Sequence, residues 1–329
     1  MAMHALTREQ LAAQAARFDA AVVATAGIDH FCSSSDWILP ADSALMPPRE
    51  PWLMRGDEDG YIALARGEHD GGWSYLQPLE AAWGLACPFV AANPAPLAAG
   101  LVAMLADRQG EWDLLFLSGM AQGTPIFRAV VGRLSRHYVL RIGTPSRRHQ
   151  ASLAGGIDGF LSRRTRNLRR SLSRAQRGAS DAGITIESAH ASDPAVADAA
   201  YSRILDVESR SWKGREGVGI DRGDMCEFYR LMNRRLVARG AQRLFFARHQ
   251  GRDIGYILGG VLGDTYRGLQ FSFDDRYRAS SLGALMQMRQ IEELCAEGYG
   301  TYDLGTDIAY KERWGDHTLD TVLLIVARR

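Results

Sequence analysis

The sequence predicts an α/β protein built as two tandem layered domains, and three observations carry that expectation. At 329 residues the chain is too long for one ordinary compact domain and fits two of roughly 150 residues each. In its first half, short strand patterns alternate with helical ones, the order of a layered α/β domain. In its second half, three consecutive strand patterns form a meander that leads into a helix and then another strand. The segment 143–158 is polar, holds Pro145 and ends on Gly155-Gly156, which are loop signals. The domains are therefore expected at 1–150 and 151–329, each a mixed, mostly antiparallel sheet flanked by helices.

The elements follow in order. Thr7 with Gln10 three residues on reads as a capping box for a helix over Thr7–Phe18. The stretch 30–52, HFCSSSDWILPADSALMPPREPW, is rich in Pro and Ser and reads as irregular. Strands are expected at 61–66, 73–79, 112–120 and 137–142, with helices at Pro94–Ala106 and Pro125–Leu134. The second half opens on a helix with Leu161, Thr165, Leu168, Leu172 and Ala175 on one face. A strand at 184–188 and a helix at 194–209 lead to the meander at 244–249, 254–262 and 266–273. Ser281 is the expected N-cap of a helix over 282–297, and strands at 301–306 and 321–327 finish the chain.

Composition narrows the function classes. Hydrophobic residues make up 46% and charged residues 23%, with a formal net charge of +1, the profile of a folded globular protein. The whole molecule is not a polycation, so any anion binding rests on local patches. Cys32, Cys87, Cys226 and Cys295 lie far apart without a CxxC pair, which argues against a zinc site or a disulfide framework and fits a reducing cytoplasm. Arg8, Glu9, Arg17 and Asp19 interrupt the opening segment, so it does not read as a signal peptide. No run approaches the 18 or more apolar residues of a membrane helix. The signatures GxxxxGK[ST], GxSxG and HExxH are absent, and no metal site is expected.

Chemistry concentrates in the second half. A short loop from a strand into a helix presents free amides and the positive end of the helix dipole to a phosphate. Here that loop carries Arg276, Arg278, Ser280, Ser281 and Gly283. Seven arginines, among them Arg166, Arg169 and Arg170, crowd residues 161–177 with no acid, and guanidinium binds phosphate bidentately. Glu208, Trp212 and Lys213 enter a Gly-rich loop that suits the lip of an acceptor site. Asp303 lies on a strand rich in Tyr and Leu, where an unpaired acid is costly to bury; placed in a cleft it would accept a proton from an attacking ammonium. Tyr310-Lys311 then brings a cation near the reacting oxygen or an acceptor anion.

Four segments carry a family resemblance: TRNLRRSLSRA, ESRSWKGREG (208–217), DDRYRASSLGALM (274–286) and YDLGTDIAYKERWG (302–315). Over about 155–316 the chain resembles GCN5-related N-acetyltransferases (the GNAT fold). More closely it is similar to the acetyltransferase family associated with cellulose biosynthesis, the CelD/BcsL-like group, itself similar to Fem aminoacyl transferases. HFCSSSDWI and the strand order extend a weaker likeness over the first half, as in families with two GNAT-like domains. The resemblance implies transfer of an acyl group, acetyl first of all, from acyl-CoA to an amine. It places the CoA pyrophosphate on the 281–283 turn, and acetyl-CoA is a co-substrate, not a resident cofactor. Asp303 and Glu208 are candidate proton acceptors, and Lys311 or a backbone N–H of strand 266–273 is the candidate oxyanion stabiliser. The acceptor would be an amino sugar or a precursor of an envelope polysaccharide, an anionic glycan included. Residues Ala279-Ser280-Ser281-Leu282 fill a loop that is more Gly-rich in most GNAT proteins, which keeps an aminoacyl-tRNA donor of the Fem kind as the alternative. A GNAT-fold protein that only binds an anionic polymer or partner is the third reading.

Overall fold

Capping chemistry sets where the chain first becomes regular. In a computed structural model, which describes residues 3–191 and 193–329, β1 (Met3–Leu6) ends at Thr7. The Thr7 hydroxyl accepts from the Gln10 N–H and the Gln10 side chain accepts from the Thr7 N–H. This reciprocal pair starts α1 (Arg8–Ala13), and α2 (Ala15–Ala24) follows.

The Ser- and Pro-rich stretch departs from its expected irregularity. Asp29 caps α3 (His30–Ser33) at the Cys32 N–H, and α4 (Ser35–Ala44) and β2 (Glu50–Gly56) follow. Burial overrides composition here: Phe31, Trp37 and Ile38 enter the core. Asp19 accepts from both the N–H and the hydroxyl of Ser35, at 2.7 and 2.9 Å, so the polar start of α4 is satisfied inside the protein.

Next come β3 (Tyr61–Glu68), β4 (Ser74–Pro78), β5 (Phe89–Val90), α5 (Pro94–Asp107), β6 (Leu114–Met120), α6 (Pro125–Leu134) and β7 (Val139–Ser152). The first compact unit comprises Met1–Arg147 and Leu319–Arg329. Its strands run β1-β2-β3-β4-β6, then the last strand of the chain, then β7. Strands β4 and β6 are parallel but pair only at Tyr75 with Leu114 and Leu76 with Leu115. Where they part, the chain itself fills the gap. Glu80 accepts from the N–H groups of Trp83, Leu85 and Ala86 at 2.7, 3.1 and 3.1 Å, and the Ser118 hydroxyl donates to the Ala86 carbonyl at 2.8 Å.

The second unit is Arg148–Thr318. Its expected first helix is two: α7 (Gly156–Ser162) and α8 (Arg166–Asp181), which restarts at Thr165, whose hydroxyl accepts from the Leu168 N–H. Strand β8 (Thr185–Ser188) leads to α9 (Pro194–Ser209), α10 (Trp212–Glu216) and α11 (Gly223–Ala238). The last of these was not anticipated from the sequence. The meander β9 (Gln242–His249), β10 (Arg252–Leu262) and β11 (Thr265–Phe273) precedes α12 (Leu282–Glu297) and β12 (Thr301–Thr306).

Strand order in this unit is β8-β9-β10-β11-β12 and then the end of β7. Side chains alternate across it. Phe245, Ala247 and Ile257 pack with Leu282 and Met286 of α12 and Ala179 of α8. On the opposite face Tyr256 bonds Glu208 of α9, and Arg203 of α9 covers Phe246.

Two boundaries differ from expectation. Strand β7 continues through 143–152, because its end pairs with β12 (Ser152 with Thr301, Gln150 with Asp303) and so satisfies its backbone. The last strand, β13 (His317–Ala327), pairs with β6. The second unit therefore stops at Thr318, and the final eleven residues belong with the first. No helix among the described residues is long and apolar enough to cross a membrane.

Gly119 tests the filled gap. Its φ is +73°, and a Cβ there would lie 2.5 Å from Cys87 N and Leu85 O. Gly119→Ala is expected to lower stability by about 2–4 kcal/mol, measured by chemical denaturation; an unchanged midpoint would refute the packing.

Candidate functional site

The second unit repeats the parallel pairing and leaves the gap open. Strands β11 and β12 pair at Thr265 with Thr301, Tyr266 with Tyr302 and Arg267 with Asp303, and not beyond. The register of β12 against β7 shifts between Asp303 and Gly305, and Gly305 has φ +86°, a conformation that favours glycine. A cavity of about 610 Å³ opens where the two strands separate. Gln270 and Phe271 of β11 both line it. Gln270 receives from Lys213 of α10 and donates to Tyr229 of α11, whereas Phe271 lies against Gly283 of α12. The cavity is thus bordered from both faces of the sheet.

Two lysines enter its wall. Lys213 donates to the Gln270 side chain at 3.0 Å and to the Phe271 carbonyl at 2.9 Å. Burial pulls its pKa down, opposed by the charge of Glu208. Lys311 donates to the Thr306 carbonyl at 2.9 Å. Burial first, and then Arg267, lower its pKa to about 8 against the pull of Asp303 and Asp307. Among the described residues no aspartate or glutamate lines the cavity, while Trp212 and Tyr310 stand half-exposed at its rim.

The expected proton acceptors are elsewhere. Asp303 is 3% exposed; its Oδ1 meets Arg267 at 2.9 Å and accepts from the Gly305 N–H at 2.7 Å. Its Oδ2 lies 3.9 Å from buried Arg148. The acid expected in a cleft instead lies between two buried guanidinium groups. Glu208 is also fully buried, accepting from the Tyr256 hydroxyl at 2.9 Å and the Ile220 N–H at 3.3 Å. Neither carboxylate reaches the cavity wall.

The loop before α12 also differs from its sequence reading. Arg276 is held by Asp274 at 3.0 and 2.7 Å, and Arg278 by Asp275 at 3.0 Å. Arg210 and Arg215 approach the same two acids. The Arg276 hydrogen bond is the main reason the Asp274 carboxyl sits below its ordinary range. The loop's two arginines are thus matched by its two aspartates. Ser281 precedes α12 in the left-handed region at φ 53° and makes no side-chain cap bond, contrary to expectation. A Cβ at Gly283 would come within 2.7 Å of the Phe271 ring, so this glycine makes room for packing. Arg166, Arg169 and Arg170 lie on the exposed face of α8.

Sequence reasoning missed Arg267, which makes the last rung with Asp303, and Gln270 and Gln287, which line the cavity. His190, Glu293 and Glu297 lie close enough to suggest a metal. Yet His190 Nδ1 accepts from the Leu244 N–H at 2.9 Å, so Nε2 keeps its proton toward Glu293 and offers no lone pair.

Residues 162–313 match the family described as an acetyltransferase (GNAT) domain. No curated protein matches the sequence. Among solved structures the fold is similar to FemX, with 13% identity, a TM-score of 0.69 and coverage of 98% of this chain and 97% of that one. It is also similar to a conserved protein of unknown function from Bacteroides thetaiotaomicron (10%, TM-score 0.60, 99% of each chain). A third likeness is to the C-terminal domain of a putative lysylphosphatidylglycerol synthetase from Agrobacterium fabrum (13%, TM-score 0.58, 95% and 91%). At these identities the structural likeness establishes the fold.

Two substitutions separate structural from chemical residues. Asp303→Asn is expected to destabilise by about 3–5 kcal/mol by removing the charge that buried Arg267 meets at 2.9 Å; a melting temperature like the parent's would refute that role. Lys311 is charged at pH 7 both folded and unfolded, and its lowered folded pKa marks a cost of folding. Lys311→Met is therefore expected to stabilise by roughly 1–3 kcal/mol at pH 7. The gain should shrink as pH rises from about 8 toward the unfolded value, and calorimetric unfolding across pH 7–10 reads it.

Proposed function

We propose that this chain, which carries a GNAT acetyltransferase domain, moves an acyl group (acetyl first of all) from acyl-CoA to an amine at the cavity between β11 and β12. The observation that carries the reading is that cavity, opened by parting parallel strands inside the matched segment and walled by two lysines without a carboxylate. Beyond Arg267, β11 has no partner on its β12 side, so its backbone there is available to an extended thioester arm. The Lys311 ammonium faces the cavity and would meet the carbonyl oxygen as it gains charge. The amine attacks the carbonyl carbon in its neutral form, the C–N bond forms, and the C–S bond breaks. The amine proton leaves to water and the departing thiolate takes one up. Asp303 and Glu208 have no part in this transfer.

The lysine-lined wall favours an acceptor that bears an anionic group beside its amine, and the aromatic rim of Trp212 and Tyr310 suits a sugar ring. An amino sugar in an anionic glycan or envelope precursor meets both conditions, in keeping with a CelD/BcsL-like, cytoplasmic enzyme. The second reading, an aminoacyl-tRNA donor, draws support from the likeness to FemX across nearly the whole chain. Calorimetric titration with acetyl-CoA, with tRNA alongside, separates the two. Saturable acetyl-CoA binding supports the first, and salt-sensitive tRNA binding without it overturns the first.

The pH profile tests Lys311. An oxyanion partner must be charged, so kcat/KM should fall as pH rises through about 8. Lys311→Arg should keep most activity and lose that alkaline limb, whereas Lys311→Ala should lower the rate by roughly 10²-fold. Retention of the limb in the arginine variant would exclude Lys311 as its source.

A further inference from the structure

Arginines in this unit generally have acidic partners, and one group does not. Arg163 and Arg164 approach Asp316 at 3.7 and 2.7 Å, and Arg276 and Arg278 are matched by the loop aspartates. Arg166, Arg169, Arg170, Arg174 and Arg177 on α8 are all exposed, and no ion pair is found for them among the described residues. They border an open depression of about 780 Å³. Arg174 also borders a second depression, about 460 Å³, with Ala279, Ser280 and Ser281 at the start of α12. Arg174 thus lines both hollows. The smaller one ends at Ser281, the residue before the helix whose Gln287 lines the central cavity.

We infer that α8, and not the arginines of the 274–283 loop, holds the phosphates of the donor, with Arg170, Arg174 and Arg177 gripping its pyrophosphate and 3′-phosphate. This rests on the acyl-CoA reading above. The three residues follow at i, i+4 and i+7, which sets their guanidinium groups along one face over about 10 Å. That length suits a nucleotide with a diphosphate and one further phosphate. Guanidinium with no carboxylate to displace binds phosphate bidentately, whereas Arg276 and Arg278 would first have to leave Asp274 and Asp275. The wall of the larger hollow has no aromatic side chain for a base to stack on. No large exposed apolar residue lies on α8 to enter a bilayer.

Binding by calorimetry tests this with three donors: acetyl-CoA, acetyl-dephospho-CoA and S-acetyl-pantetheine. In the variant Arg170→Gln/Arg174→Gln/Arg177→Gln, acetyl-CoA affinity should fall roughly 30-fold or more, with less loss for the dephospho donor and none for S-acetyl-pantetheine. Raising salt should weaken the parent and barely affect this variant. Arg276→Gln/Arg278→Gln should change acetyl-CoA affinity less than about twofold. The inference is overturned if the triple variant binds acetyl-CoA as the parent does, or if the loop variant shows the loss instead. It is equally overturned if S-acetyl-pantetheine weakens as much as acetyl-CoA, or if the face binds tRNA more tightly than acetyl-CoA and loses it in the triple variant. A parent that binds no acetyl-CoA at all refutes the acyl-CoA reading itself.

Discussion

The last rung before β11 and β12 part is an ion pair, Arg267 against Asp303, and the site depends on it. One carboxylate lies among two buried guanidinium groups and also takes the Gly305 N–H, so the point of separation is fixed by groups that cannot move apart cheaply. Gly305 then turns β12 away at a positive φ. The same charges set the electrostatics of the gap, because Arg267 lowers and Asp303 raises the proton affinity of Lys311. The same pair thus borders the opening and biases the ionisation of Lys311, whose pKa burial lowers most.

The two units answer one geometric problem in opposite ways. In each, a meander passes through a further element to a strand that pairs in parallel for two or three residues only. Parting strands leave backbone groups and apolar side chains that something must cover. In the first unit the chain supplies the cover: residues 79–90 fold into the gap, with Glu80 collecting three N–H groups and Gly119 admitting the backbone of 85–87. In the second unit no such segment exists, and lysines, glutamines and aromatics line the space instead. The gap of the first unit is thus filled by its own chain, and that of the second is a cavity of about 610 Å³.

Much of this was legible from periodicity. The meander, the helix over 282–297 and the strand at 301–306 stand close to where alternation and helical spacing placed them, since each has one clearly apolar face. Less legible was whatever depended on a distant partner. The Ser-rich 30–44 segment became helical because Asp19 and the core satisfy it, and β7 continued past residue 147 because its end pairs with β12. The site divided along the same line. Lys213, Lys311, Trp212 and Tyr310 were found from local chemistry and do line the cavity. Asp303 was misplaced because its neighbour in space, Arg267, lies 36 residues away in sequence, and a costly buried acid reads alike whether paired or poised. The loop arginines pair with acids that stand beside them in sequence, Asp274 and Asp275.

What remains is a question of cost. A fold selected only to persist would not keep two desolvated ammonium groups on a cavity wall without a carboxylate, since apolar residues of similar shape would fill the site at lower free energy. It would also not align five arginines on one helix, where like charges at i, i+4 repel. Both features lie in the unit whose gap stays open, and an anion at either place would offset the like-charge repulsion. In the first unit, whose gap is closed, the buried Arg49 is answered by Asp42 at 2.7 Å. In the second unit the two lysines border the open cavity and the α8 arginines have no ion pair among the described residues, a distribution that an anionic ligand would stabilise.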